Sequence, residues 1–324
     1  MIDILYNDIN RNLFVCPEEQ ELSSDFLVNK WINLVNPDDR EVDRISSLTG
    51  IPEVYLKAAL DEEERARIDK DDDCVMVLID VPIIEEDPEN DYYTYGTIPM
   101  SIIHKDNYFV TVCLRENSVV NDFKFGKVKN VETYKSTRLT FRLLHAVSTK
   151  YLYYLRLINK ASQRVQSTLE KNVKNNAILE MLDLQKSLVY FSTSISANDA
   201  VIEKLNKQNY LKKYEEDQDV IDDASIENKQ AAEMCSIYRE IMNGTMEAYG
   251  TIINNNVNDV MKFLTALTLV ISVPTLIASL FGMNLDGIPW YSPGSAPWGF
   301  AVVCGISIIL AVISGIILAK KKMF

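Results

Sequence analysis

From Phe263 to Met283 the chain carries no charged side chain, and from Trp298 to Ala319 it again carries none. These runs of about 21 and about 22 residues match the roughly 20 that cross a hydrocarbon bilayer as a helix. Within lipid, backbone N–H and C=O groups must be paired inside the segment, which selects a helix for an uninterrupted apolar run. Two such runs near one end predict a membrane hairpin rather than an ordinary soluble fold.

The flanks orient it. Lys262 precedes the first run, Lys320, Lys321 and Lys322 follow the second, and the connection 284–297 has neither Lys nor Arg. Basic residues favour the cytoplasmic side, so a multi-pass protein of the cell membrane is expected, with both termini in the cytoplasm and the connection outside. Trp290, Tyr291 and Trp298 fall where an interfacial aromatic belt is expected, against membrane lipid.

Composition narrows the rest. The formal net charge is -13 over 324 residues, and nearly all charged residues precede Lys262. An acidic chain without a basic stripe argues against a nucleic-acid partner. The five cysteines are scattered without a CxxC, and His104 and His145 form no metal-ligand spacing with them. Reduced thiols in a cytoplasmic portion are expected, with neither a zinc site nor a disulfide framework. MIDILYNDINR lacks the basic-then-apolar pattern of a signal peptide. No phosphate-binding Gly-rich loop and no Ser/His or Cys/His arrangement is evident, so neither enzymatic activity nor a cofactor is expected.

Residues 1–130 mix short β-rich runs with helical patterns and read as a cytoplasmic α/β domain. Cys74–Ile84, Thr97–His104 and Tyr108–Leu114 are predicted strands, the last two joined by a hairpin turn at Lys105-Asp106-Asn107. Ser46–Leu60 reads as a helix broken at Pro52. Residues 131–219 read as long helices, at Thr137–Asn172 and Ala177–Glu216, with the acidic Glu215–Asp223 as a turn. A third helix is expected over 220–283. At 1.5 Å per residue it would be a rod of roughly 90 Å, too long for an ordinary domain helix, entering the membrane at about residue 262. The external connection 284–297, a second span over 298–319 and a basic tail over 320–324 complete the organisation.

The first span has a polar face. Its side-chain hydroxyls, Thr265, Thr268, Ser272, Thr275 and Ser279, are spaced 3, 4, 3 and 4 residues apart. At 100° per residue they share an arc of about 80°. Hydroxyls in membrane helices often bond their own backbone or join neighbouring helices, but neither habit requires one narrow face. Continued backwards, the seam holds Met261, Asn258, Asn254, Thr251, Glu247, Gly244, Glu240, Ile237 and Glu233. That is too polar for a dry coiled coil and suits helices lining water, with Glu247 a candidate metal-contacting acid. One helix cannot enclose a pore, so closure would require several subunits around a cyclic axis. Asp286 is the ionisable residue of the outer connection, and the charge pattern favours a cation.

Gly282-Met283-Asn284 ends the first span, "NDVMKFLTALT" leads into it, and "KKKMF" closes the chain. Together these resemble the CorA family of magnesium channels, with weaker similarity at "WINLVNP" (Trp31–Pro37) and "GIPEVYL" (Gly50–Leu56). The resemblance implies a funnel-shaped homopentamer in which the first span lines the pore and Gly282, Met283 and Asn284 form the external selectivity filter. Magnesium sheds its waters reluctantly, and a ring of Asn284 amide oxygens can accept hydrogen bonds from those waters. It also implies cytoplasmic magnesium sensing, in which Asp223 matches the stalk ligand. At the partner position this chain has Lys57-Ala58, with Asp61–Glu64 as nearby acids.

The segment after the filter, Leu285-Asp286-Gly287-Ile288-Pro289-Trp290, is similar to that of a zinc-transporting, ZntB-like branch. Three functions follow: a magnesium channel; a zinc, cobalt or nickel transporter of the same fold; and a membrane-tethered scaffold or signalling protein. The hydroxyl face disfavours a simple tether, which needs no polar stripe.

Overall fold

A computed structural model describes residues 1–8, 13–16, 22–71, 73–86, 92–171, 175–282 and 298–321. In chain order its strands are β1 (Ile2–Asn7), β2 (Leu13–Val15), β3 (Trp31–Val35), β4 (Arg67–Asp71), β5 (Cys74–Glu86), β6 (Tyr93–Lys105) and β7 (Tyr108–Cys113). The helices are α1 (Ser24–Leu27), α2 (Asp39–Thr49), α3 (Glu53–Lys57), α4 (Ser118–Lys124), α5 (Ser136–Lys171), α6 (Asn175–Lys207), α7 (Glu215–Phe281) and α8 (Trp298–Lys320). The chain divides into two compact units, Met1–Asn243 and Gly244–Phe324.

The first unit is built on a seven-stranded sheet in the order β2-β1-β3-β7-β6-β5-β4. β3 and β7 are parallel, and the remaining neighbours are antiparallel. All three predicted strands are present, and the hairpin turn lies where expected: Lys105 pairs with Tyr108, and Asp106 takes φ 49°. Alternation of side chains sends two sets of residues to opposite faces. Ile32, Leu34, Val110, Val112, Met76 and Leu78 pack with Val42 and Ile45 of α2 and Leu56 of α3. The other face meets α5 and α6 through His104–Thr140, Tyr151–Asp80 and Ser194–Thr97 hydrogen bonds. The strand-rich residues 1–130 and the helices that follow therefore fold as one unit.

Asn198 shows how α6 is fixed to the sheet. Its amide accepts from Asp80 N at 2.9 Å and donates to Asp80 O at 2.7 Å. β4 ends its pairing with β5 at Leu78, so this side chain takes over where the neighbouring strand stops. Unpaired buried backbone groups are costly, and one amide satisfies both.

Three helix boundaries differ from the sequence reading. The helix expected from Ser46 begins at Asp39, because Asp38 and Glu41 make a capping box: Asp38 accepts from Glu41 N at 2.7 Å, and Glu41 accepts from Asp38 N at 3.0 Å. It ends before Pro52, at Gly50, whose φ of 68° favours glycine; α3 and a 3-10 turn over Ala58–Leu60 follow. α6 ends at Lys207 rather than Glu216. The acidic Glu215–Asp223 stretch is the beginning of α7, not a turn. Carboxylates are favourable at a helix N-terminus, and Asp217 accepts from Tyr214 N at 3.0 Å.

α7 is a 67-residue helix, roughly 100 Å long at 1.5 Å per residue. It ends the first unit and begins the second. α7 and α8 are the two described helices long and apolar enough to cross a membrane. Among the described residues both apolar stretches are largely uncovered: Ile271, Leu276, Ile308 and Ile309 are all more than half exposed.

Candidate functional site

The hydroxyl face lies on the last turns of α7, where the sequence placed it. Thr265, Thr268, Ser272, Thr275 and Ser279 are all exposed. Exposure alone does not single them out, since Leu267, Leu269 and Ile271 on other faces are also exposed. Their chemistry does. Thr265 donates to Met261 O at 2.8 Å, Thr268 to Leu264 O at 2.8 Å, Ser272 to Thr268 O at 2.7 Å and Thr275 to Ile271 O at 2.8 Å. Thr251, further back on the seam, donates to Glu247 O at 3.1 Å. A hydroxyl has one hydrogen and two lone pairs. With the hydrogen committed to the preceding turn, each of these side chains offers acceptor oxygen outward. The backbone habit and the polar face therefore coexist.

Pro274 interrupts the same helix. It has no N–H for the carbonyl of Val270, four residues earlier. At 100° per residue that carbonyl projects on the side of α7 about 180° from the centre of the hydroxyl face. The weakened point of the ladder and the polar face are thus on opposite sides.

Before the span, Asn255, Asn258, Asp259, Met261, Lys262 and Thr265 line an open recess of about 560 Å³. Lys262 pairs with Asp259 at 2.9 Å, one helical turn away. Asn258, Met261 and Thr265 thus stand together at the start of the polar face. Asn254 and Glu247 continue the seam as exposed residues. Gly282 closes α7, with its N–H bonded to Ala278 O at 2.9 Å. A Cβ at Gly282 would stand 3.2 Å from that same oxygen, a tight approach. Met283, Asn284 and Asp286 lie outside the described residues.

The acids considered for sensing are not gathered within one chain. Asp223 is exposed on α7. Glu62 is bound by Arg115 and Glu64 by Arg67, while Asp61 accepts from Glu63 N at 3.0 Å. At the departure from the family pattern, Lys57 pairs with Asp39 at 3.0 Å and Glu53 at 3.3 Å, and these partners raise its pKa. Among the described residues no group of three His, Cys, Asp or Glu side chains is arranged to hold a metal ion. The ion pairs engaging Glu62 and Lys57 could not be read beforehand: Arg115 is 53 residues from Glu62, and no periodicity links them.

A compact acidic unit, a helix leaving it with an acceptor face, and two apolar helices that the chain leaves bare define an α-helical membrane transport protein. The family model described as "CorA-like Mg2+ transporter protein" matches residues 28–321, and the chain belongs to that family. Its similarity to the cobalt/magnesium transport protein CorA of Methanocaldococcus jannaschii is 25% identity over 306 residues, 92% of each chain. The complete structure of that organism's CorA magnesium transporter superposes with a TM-score of 0.79 at 23% identity, covering 98% of this chain and 96% of the other. The ZntB cytoplasmic domain of Vibrio parahaemolyticus matches with a TM-score of 0.53 at 13% identity, covering 79% of this chain and 97% of that one. At those identities the two structures speak for the fold alone.

Proposed function

We propose that this chain forms a homo-oligomeric, most simply pentameric, channel that admits Mg²⁺ across the cell membrane. The observation that carries the reading is the acceptor-only hydroxyl face of α7, from Thr265 to Thr275, on an otherwise apolar helix. Waters around a cation point their hydrogens outward. A wall of lone pairs accepts those hydrogens, and the ion need not lose its inner waters, which Mg²⁺ releases reluctantly. Several copies, each turning this face inward, would make a continuous path of such acceptors.

At the outer end, Asn284 amides would accept hydrogen bonds from the same hydration shell, with Gly282 allowing close backbone approach and Met283 packing. Neutral oxygens bind weakly enough for the ion to leave again. With both termini and the acidic unit cytoplasmic, the membrane potential supplies roughly 4.6 kcal/mol per divalent ion per 100 mV, which suffices for influx without a coupled energy source. Asp223 is the acid assigned to regulation by cytoplasmic Mg²⁺, with ligands that a neighbouring copy would have to complete.

Transport of zinc, cobalt or nickel through the same fold is the second reading. The "GIP" after the filter motif favours zinc, whereas similarity over nearly the whole chain to a cobalt/magnesium transporter favours magnesium. Flux into proteoliposomes with Mg²⁺ and Zn²⁺ in competition decides between them. Uptake of Mg²⁺ that excess Zn²⁺ leaves intact is expected. Zinc uptake without magnesium uptake would overturn the assignment.

A further inference from the structure

Glu227, in the first third of α7, places its two carboxylate oxygens on different side chains of α5. Oε1 stands 3.3 Å from His145 Nε2, and Oε2 accepts from the Thr149 hydroxyl. His145 and Thr149 are one helical turn apart, so a single carboxylate spans that turn. The polar ties between these helices cluster here. Arg138 of α5 pairs with Glu216 of α7 at 2.9 Å, and Ser148 donates to Ala224 O at 3.4 Å. α7 is tied to α6 along more of its length, through Asn206–Gln218 and Asn206–Asp222 in this same stretch and through Asn228–Ile195, Cys235–Leu188 and Gln185–Asn243 further along.

The other charged groups near His145 are accounted for. Arg142, one turn earlier on α5, directs its guanidinium to Lys129 O and Asn130 O, both at 2.6 Å. Arg138 is held by Glu216. On α7, Asp223 precedes Glu227 by one turn and is exposed. Glu227 is thus the carboxylate that meets the imidazole. His145 is 39% exposed and Glu227 31%, which leaves a path for protons from solvent.

We propose that His145 and Glu227 form a proton-operated clasp between α5 and the stalk helix α7, tighter when the surrounding pH falls. A neutral imidazole makes only a dipolar contact with a carboxylate, whereas a protonated one makes a charge-assisted pair. Histidine is the side chain whose charge changes between about pH 5 and 8. The added hold is present when the imidazole is protonated and absent when it is neutral. For a partly solvated pair the effect on the closed-to-open ratio is at most about fivefold. α7 is also the helix that carries the hydroxyl face, so any consequence for ion flux rests on the transport reading; the clasp itself does not.

The test uses the full-length protein in detergent, with trypsin cleavage between α6 and α7 followed from about pH 8 to about pH 6 and corrected for trypsin activity. Wild type should become more resistant as pH falls, by about two- to fivefold. His145→Gln and Glu227→Gln should each lose this trend, while His145→Lys should hold the resistant state at both ends of the range. His145→Gln retains the second histidine, His104, so a shared background trend is subtracted. An unchanged pH trend in His145→Gln, or a wild-type trend in His145→Lys, overturns the clasp. Parallel Mg²⁺ flux in proteoliposomes separates the two readings: absence of wild-type flux would fault the transport assignment, while the cleavage profiles would still decide the clasp.

Discussion

The two units of this chain use the same apolar residue types in opposite ways. In Met1–Asn243, residues such as Trp31, Phe141, Tyr151 and Phe191 are fully buried, and Trp31 Nε1 finds a partner at Thr111 Oγ1, 2.7 Å away. In Gly244–Phe324, Ile271, Leu276, Ile308 and Ile309 remain exposed among the described residues. Burial stabilises the first unit by removing apolar surface from water. The second unit carries the two apolar helices suited to lipid, and its polar face is exposed on one of them. Hydrophobicity by itself therefore says little; the partner of each apolar face decides what it does.

That contrast can be broken in order of expected effect. Asn284→Ala should abolish Mg²⁺ uptake in proteoliposomes while leaving the assembled oligomer unchanged by size-exclusion chromatography. Wild-type flux from this variant would remove the filter from the outer mouth. Next, Phe191→Ala should cost about 3–5 kcal/mol of stability in the first unit, as large-to-small core changes do. Ile308→Ala in α8 should cost less than about 1 kcal/mol, because lipid chains are as apolar as the side chain removed. Similar losses at both sites, measured by denaturant unfolding in detergent, would mean that the second unit has a protein-like core of its own.

Cysteines at Thr268, Ser272 and Thr275 should react readily with small hydrophilic thiol reagents, and those at Leu267, Leu269 and Ile271 slowly. Equal rates around the helix would show that the hydroxyl face does not meet water. The smallest effect is expected at Asp80. Burial raises its carboxyl pKa, with the Ser194 hydroxyl bond opposing the shift. The folded state then binds the proton more tightly than the unfolded state. Stability falls as pH rises from the ordinary carboxylate range through the raised value, and stays reduced above it. Asp80→Asn should flatten that slope and gain up to about 1 kcal/mol at neutral pH. An unchanged pH–stability curve would show that Asp80 ionises without cost.

His104 belongs to the first region for the same physical reason. Full burial without an acidic partner pushes its imidazole down to about 3, and Thr140 takes the hydrogen bond of the neutral ring at 2.7 Å. His145, half-exposed against Glu227, meets a different environment. Nothing in the sequence distinguishes the two histidines; the sheet face covering one of them does.

The sequence by itself determined the two C-terminal apolar helices, the long helix and the hydroxyl face, because each follows from a local period or from the absence of charge over a span. It also placed the β5, β6 and β7 strands and the tight turn at Asp106, where a short polar break separates apolar runs. The start of α7 at Glu215 was misread because an acidic cluster suits a solvated turn as well as a helix N-terminus, and only the continuing hydrogen-bond ladder separates them. Tertiary structure alone decided the sheet order, the substitution of Asn198 for a missing strand beside Asp80, and the meeting of Glu227 with His145 and Thr149. Each of those joins residues far apart in the chain, whose encounter depends on how whole elements pack and leaves no repeating signal in the order of the amino acids.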